Sequence, residues 1–217
     1  IRDVERSRGL GDVYKRQILI MLAALTLFVN KVVTPTDLTK EQLNDLGAYL
    51  IDPPRELGSF VLKDTNEKQF LPLDFKDKWN IIFFGFSFCP DICPITMSLL
   101  ARIEDALDER ELKEIRFFMV TVDPDRDSPK KLKEYLNNFS SSFIGLTGSL
   151  DQIYNFATKV NAPFNPVSNN NDPHYTVDHT GSIVLIDPGG NYAGFFRAPH
   201  NEDDIKEALF DLLTRSY

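Results

Sequence analysis

The 217-residue sequence contains few side chains that bind metals through a thiol or an imidazole: two cysteines and three histidines. It also lacks an excess of basic residues, because 32 Asp and Glu against 24 Lys and Arg give a net charge of −8. Two cysteines are too few for a disulfide framework, which needs several separated pairs. An acidic chain does not favour nucleic acid as a partner, since that binding needs a basic face.

The N-terminal apolar run is shorter than the roughly 20 residues that cross a bilayer. It covers residues 18–29 and reaches 16 residues when extended to residue 33. No small-x-small cleavage site follows it, so we expect residues 18–33 to be a membrane anchor, complete or truncated, with a buried soluble helix as the alternative. Lys15 and Arg16 precede it, which fits an orientation that places the following domain outside the cytoplasm. The charge-dense residues 1–17 are expected to be non-native sequence or a cytoplasmic tail.

Both cysteines lie in residues 88–94, Phe-Cys-Pro-Asp-Ile-Cys-Pro, directly after an apolar run at 81–86. Thiolate suits Cu(I), and two close thiols can also form a disulfide, so the pair indicates a metal site or a redox site. If Pro94 lies in the first turn of a helix, both sulfur atoms can face the helix N-terminus, where the dipole stabilises thiolate. A structural disulfide across so short a loop, or two buried apolar side chains, are the alternatives.

His179 is the candidate third ligand. It precedes an apolar run at 182–186 that predicts a strand, and a residue at the start of that strand can approach the end of the cysteine-bearing strand. A histidine in a polar loop is more often a solvated surface residue. Beside a thiol pair it becomes a plausible donor, because imidazole suits copper as thiolate does.

The periodicity of apolar residues predicts an α/β, thioredoxin-like fold over residues 57–217. A hairpin at 60–62 and 70–73 should precede alternating strands and helices. The predicted strands are 81–86, 115–122, 183–186 and 192–196, and the predicted helices are 99–107, 128–139, 150–160 and 205–213. Residues 34–56 should be a linker with a short helix that begins at a capping box at 39–42 and ends before Pro53.

Three separated motifs resemble the Sco/SenC family of copper chaperones. They are the cysteine motif after Phe-Phe-Gly-Phe, residues 122–129 (Val-Asp-Pro-Asp-Arg-Asp-Ser-Pro) and residues 175–180 (Tyr-Thr-Val-Asp-His-Thr). The resemblance covers the chain from about residue 57 to the C-terminus, with the motifs in the family's order. It also implies the family-type insertion in the fold.

The resemblance implies a site and a function. The family's copper ligands fall on Cys89, Cys93 and His179, whereas His174 and His200 are not expected to be primary ligands. The implied cargo is Cu(I) or Cu(II), delivered to the dinuclear copper centre of cytochrome c oxidase subunit II. An upstream copper donor or thiol reductant is a further implied partner. The implied location is on a membrane anchor outside the cytoplasm: the periplasmic face of the inner membrane in a bacterium, or the mitochondrial intermembrane space in a eukaryote.

A thiol–disulfide oxidoreductase is the alternative, with Cys89 as the attacking thiol and Cys93 as the resolving thiol. Thioredoxin-type enzymes place two residues between the cysteines and a proline before the facing strand, whereas this chain has three residues and no proline at 179–182. These differences favour a metal site.

Three further features have less specific interpretations. Asp178 is expected to be a solvated carboxylate or to orient His179 through a hydrogen bond. Residues 123–127 are expected mainly to form a turn and to cap the following helix. Met97 is expected to lie in the core.

Overall fold

The computed structural model describes residues 13–26, 28, 37–165 and 175–215. The chain divides into two units, Ile1–Asp37 and Leu38–Tyr217. In the first unit, residues 13–26 form a helix, α1. Among the described residues, none of the helices has both the length and the apolar character needed to cross a membrane. Residues 27 and 29–33 of the expected anchor at 18–33, and residues 1–12 of the expected tail at 1–17, lie outside the described residues.

A mixed eight-stranded sheet forms the centre of the second unit. Its strands are β1 (Ala48–Glu56), β2 (Leu62–Asp64), β3 (Gln69–Phe70), β4 (Trp79–Gly85), β5 (Ile115–Thr121), β6 (Ile144–Thr147), β7 (Ile183–Ile186) and β8 (Asn191–Phe196). They are ordered β1-β8-β7-β4-β5-β6-β2-β3. The pairs β4–β5 and β5–β6 are parallel and the other pairs are antiparallel.

The α-helices of this unit follow the predicted order, with one addition. They are α2 (Lys40–Asp45), α3 (Ile92–Ala106), α4 (Glu111–Glu114), α5 (Pro129–Leu136), α6 (Leu150–Lys159) and α7 (Glu202–Thr214). Pro72–Phe75 form a short 3-10 helix, so the predicted hairpin strand at 70–73 is wrong beyond Phe70. The capping box that begins α2 is confirmed, because Thr39 accepts from the N–H of Gln42 and Gln42 accepts from that of Thr39. The N-cap of α5 is confirmed as well: Ser128 accepts from the N–H of Lys131.

The core lies around β4, whose seven residues are all buried. This strand pairs with β5 on one side and β7 on the other, as its continuous apolar sequence predicts for a central strand. A group of phenylalanines packs beside it, with Phe75 stacked on Phe156 at 5.6 Å and edge-on to Phe118 at 5.3 Å between ring centres. The end of β4 that leads into the cysteine motif is therefore held on both sides.

The segment after α2 differs from the prediction. The helix expected to continue to the proline pair ends at Asp45, and Leu50 lies in β1, which pairs with β8 at the edge of the sheet. Prolines are tolerated there because an edge strand has a side without ladder hydrogen bonds, and the pairing shifts between Leu50 and Arg55. The short elements α4 and β6 were not predicted either.

Candidate metal centre

The candidate site lies where three elements meet. β4 and β7 are antiparallel, with Phe83 opposite Ile183, so the end of β4 lies beside the start of β7. The chain continues from β4 through the cysteine motif into α3, which begins at Ile92. The predicted approach of the histidine segment to the cysteine-bearing strand is therefore confirmed.

The ligand atoms of Cys89, Cys93 and His179 all lie within 4.8 Å of one another. Cys93 Sγ lies 3.4 Å from His179 Nε2. In the parts of the chain that are described, no other group of three His, Cys, Asp or Glu side chains comes together in this way. His200 is directed elsewhere, since its Nε2 donates to the carbonyl oxygen of Gly181 at 2.7 Å. His174 lies outside the described residues.

The two cysteines differ in their surroundings. Cys93 is the second residue of α3 and is fully buried, whereas Cys89 is half-buried in the turn before the helix, where its N–H donates to Phe86 O at 3.2 Å. Pro94 lies in the first turn, as expected. Burial nevertheless raises the pKa of the Cys93 thiol, so in the apo protein burial outweighs the stabilisation of this thiolate that the helix N-terminus can supply. A bound cation would reverse this balance by stabilising the thiolate directly.

The imidazole of His179 is held in an orientation suited to a ligand. Its Nδ1 lies 3.0 Å from the carbonyl oxygen of Thr180, and because a carbonyl only accepts, Nδ1 carries the proton. The lone pair of Nε2 then faces Cys93. Phe83 and Phe86 contact the ring edge-to-face, each at 5.8 Å between ring centres. Burial lowers the pKa of His179, which favours the neutral form that binds metals.

Asp178 does not orient this ring. Its carboxylate accepts from Asn165 Nδ2 at 3.1 Å, and its carbonyl oxygen accepts from the N–H of the same residue at 2.8 Å. Thr180 supplies the orienting hydrogen bond instead. Met97 is fully buried in the core, as expected.

Residues 123–127 have a larger part in the site than the sequence indicated. Asp127 is fully buried and accepts from the N–H of Ser87 at 2.9 Å and from the hydroxyl of Thr121 at 2.7 Å. Asp123 is also buried and accepts from the hydroxyl of Tyr175 at 2.7 Å. The sequence places this acidic motif directly after a buried strand, which could have indicated a role near the site. It does not show which distant side chains the motif contacts.

The close packing of Cys93 leads to a test by substitution at Gly85. A Cβ atom at this position would lie 2.8 Å from Cys93 Sγ and 2.8 Å from Phe83 Cε1, and both neighbours are fully buried. We expect Gly85→Ala to lower the free energy of unfolding by about 1–3 kcal/mol through overpacking. Urea unfolding of the apo protein measures it.

The matched control is Gly189→Ala, in the turn between β7 and β8. There the new Cβ would lie 2.9 Å from Asn191 Nδ2 and 3.1 Å from Asp187 Oδ1, so it meets the ends of two polar side chains and not a buried ring or sulfur. An equal loss of stability in both variants would contradict the packing described for Gly85.

Comparison with known proteins gives consistent matches. The SCO1/SenC family model matches residues 50–214. A protein of Stutzerimonas stutzeri that is named as copper-binding is 33% identical over 199 residues, which cover 92% of this chain and 95% of that protein. The mitochondrial protein SCO2 of Saccharomyces cerevisiae is 41% identical over 155 residues, which cover 70% of this chain and 51% of that protein.

A solved structure matches as well. The crystal structure of yeast Sco1 with copper bound has a TM-score of 0.69 and 32% identity to this chain, and the match covers 76% of this chain and 91% of that one. The likeness confirms that the mixed α/β fold is thioredoxin-like, as the sequence predicted.

Proposed function

The chain belongs to the SCO1/SenC family, and from that premise we propose that it is a copper chaperone in the assembly of cytochrome c oxidase. It binds one copper ion through Cys89, Cys93 and His179 and delivers it to the dinuclear copper centre of subunit II. The observation that carries this proposal is the convergence of two thiols and one imidazole within 4.8 Å at the end of the central strand.

The donor set fits copper by its chemistry. Thiolates are soft ligands that suit Cu(I), and imidazole suits copper in both common oxidation states. With Nδ1 protonated, His179 offers Nε2 beside Cys93 Sγ, so three donors are available without a change of tautomer. Two sulfurs and one nitrogen suit a near-trigonal Cu(I) centre.

Because the site is buried, the Cys93 thiolate needs the positive charge of a bound metal ion to be stable. Burial disfavours the Cys93 thiolate in the absence of a cation, so copper binding must displace the proton from this thiol. Copper affinity is therefore expected to fall as the pH falls, because the proton competes with the ion for the same sulfur.

The site is accessible to an acceptor from the side of Cys89. This cysteine is half-buried, and its neighbour Phe88 is 52% exposed. A thiolate of the client can approach there and replace one ligand at a time, so that the ion need not pass through water. The upstream donor or thiol reductant would use the same side.

We place the domain outside the cytoplasm, where the oxidase copper centre is assembled. The yeast relative is named as mitochondrial, and the N-terminal segment follows Lys15 and Arg16. The membrane anchor over residues 18–33 is part of this proposal.

Copper transfer to the client tests the function. The full chain is loaded with one equivalent of Cu(I) and mixed with the copper-free soluble domain of subunit II. The subunit II domain is then separated at set times, and we expect its Cu(I) content to rise faster than with Cu(I)–glutathione at the same concentration. Equal rates from the two copper sources would contradict a chaperone role.

Dithiol chemistry at Cys89 and Cys93 is the alternative, since both are free thiols within 4.8 Å of each other. It is less favoured because it gives His179 no role, although the imidazole is oriented and placed 3.4 Å from Cys93 Sγ.

A further inference from the structure

We propose that the loop between β5 and α5, residues 122–128, fixes the distance between the cysteine and histidine ligands, and that Tyr175 is the positioning residue for His179 in this arrangement. The inference rests on the proposed copper site. It gives the motif at 122–129 a role beyond a turn: one short loop contacts both segments that carry the ligands.

The first contact holds the cysteine segment. Asp127 accepts from the backbone N–H and from the hydroxyl of Ser87, which lies two residues before Cys89. The carboxylate is fully buried and also accepts from the hydroxyl of Thr121 at the end of β5. Buried charge-assisted hydrogen bonds of this kind are strong, so the backbone at Ser87 is fixed relative to the loop.

The second contact holds the histidine segment. The hydroxyl of Tyr175, four residues before His179, donates to Asp123 Oδ1 at 2.7 Å. Arg126 forms an ion pair with the same Asp123, and its guanidinium carbon lies 3.5 Å from the centre of the Tyr175 ring. Tyr175 is thus held by a hydrogen bond at its hydroxyl and by a cation–π contact on its face.

Arg126 connects the two contacts. Its guanidinium carbon lies 5.0 Å from the ring centre of Phe88 and 5.5 Å from that of Phe86, while Tyr175 covers another part of the same group. Phe88 adjoins Cys89, and Phe86 contacts the ring of His179. The guanidinium therefore lies between Phe88, Phe86 and Tyr175. A shift of Tyr175 alters the contacts of Arg126 with both phenylalanines.

The histidine segment has backbone contacts on its other side. The N–H of Thr180 donates to Pro163 O at 3.1 Å, and Phe164 and His179 form an isolated β-bridge. Those contacts attach the segment to residues 163–164, which follow α6. Tyr175 supplies a side-chain contact that ties it to the cysteine side, so its loss should let Nε2 move relative to the sulfurs while the fold persists.

Tyr175→Leu tests the inference because it removes both the hydroxyl and the aromatic face. We expect loss of Cu(II) to a chelator to become about tenfold faster, which corresponds to about 1.4 kcal/mol, and loss of Cu(I) to change less. Tyr175→Phe keeps the ring over Arg126 and should give a smaller increase. In the apo protein, hydrogen exchange of the amides in residues 175–180 should be faster in Tyr175→Leu than in the wild type.

A double-mutant cycle shows whether Tyr175 acts through His179. In a His179→Ala background, Tyr175→Leu should have no further effect on Cu(II) loss, because the ligand that it positions is absent. The matched control is Tyr49→Leu in β1, where the half-buried ring stacks on Phe195 at 5.4 Å between centres. This variant should keep the wild-type rate of Cu(II) loss.

The outcomes separate the inference from the function on which it rests. If His179→Ala leaves Cu(II) loss unchanged, the proposed copper site fails and the inference fails with it. If His179→Ala accelerates the loss but Tyr175→Leu does not, the inference alone is overturned. If Tyr175→Leu has its full effect in the His179→Ala background, or if Tyr49→Leu has the same effect, the tyrosine acts on general stability and the positioning role is overturned.

Discussion

Replacement of Cys93 with alanine should abolish tight binding of Cu(I). The remaining thiolate and imidazole would leave the ion under-coordinated, and only one of the two thiolates that Cu(I) prefers would remain. Structural zinc sites with four ligands contribute about 10–16 kcal/mol, or about 3 kcal/mol for each ligand, so affinity should fall on the order of 100-fold or more. Competition against a Cu(I) chelator of known affinity measures the loss, with X-ray absorption reporting the sulfur donors.

Cys89→Ala separates the loss of a ligand from damage to the fold. Cys93 is fully buried, so its truncation also removes packing in the core, whereas Cys89 is half-buried and its loss should affect stability little. Both variants should lose Cu(I) to a similar extent. Wild-type retention of Cu(I) by either variant would rule out binding by the cysteine pair.

The position of the site could be predicted because its residues are scarce. Two cysteines in 217 residues, placed directly after a continuous apolar run, indicated sulfur chemistry at the end of a buried strand. The predicted strand is β4, and β7 does begin beside its end. The likeness of three motifs to one family then indicated His179, whose Nε2 the structure places 3.4 Å from Cys93 Sγ.

The surroundings of the site could not be predicted, because they depend on contacts between distant parts of the chain. Asp127 contacts Ser87, 40 residues earlier, and Tyr175 contacts Asp123, 52 residues earlier. Neither pair has a periodic signal. The raised pKa of Cys93 could not be predicted for the same reason: the helix N-terminus is visible in the local sequence, whereas the burial that outweighs it is produced by tertiary packing.

The edge of the sheet shows another limit of local patterns. A capping box followed by leucines predicts a helix, and a proline pair predicts its end, yet the helix stops at Asp45. The following residues form β1 because β8 offers an edge with which they can pair. Whether such an edge exists is decided by the whole sheet, so a segment with prolines cannot be assigned from its own sequence.

Replacement of His179 with alanine should separate the copper chaperone from the oxidoreductase. A metal site needs the imidazole, whereas dithiol chemistry needs only the two sulfur atoms within reach of each other. We expect His179→Ala to weaken Cu(II) binding strongly and Cu(I) binding less, because two thiolates can hold Cu(I) in a linear arrangement. The Cys89–Cys93 disulfide should form and break at a similar potential in the variant. Copper retention against a chelator and the disulfide reduction potential are measured on the same preparations.

His200→Ala is the matched control for this experiment. His200 is also partly buried, burial lowers its pKa as it does for His179, and its Nε2 donates to a backbone carbonyl rather than facing a sulfur. Its loss should leave Cu(II) retention unchanged. If His179→Ala keeps its copper while its disulfide potential moves by more than about 30 mV, or about 1.4 kcal/mol for a two-electron couple, the imidazole acts on the thiols and the oxidoreductase is the better assignment. If His179→Ala loses its copper while its disulfide reduction potential is unchanged, His179 is a metal ligand.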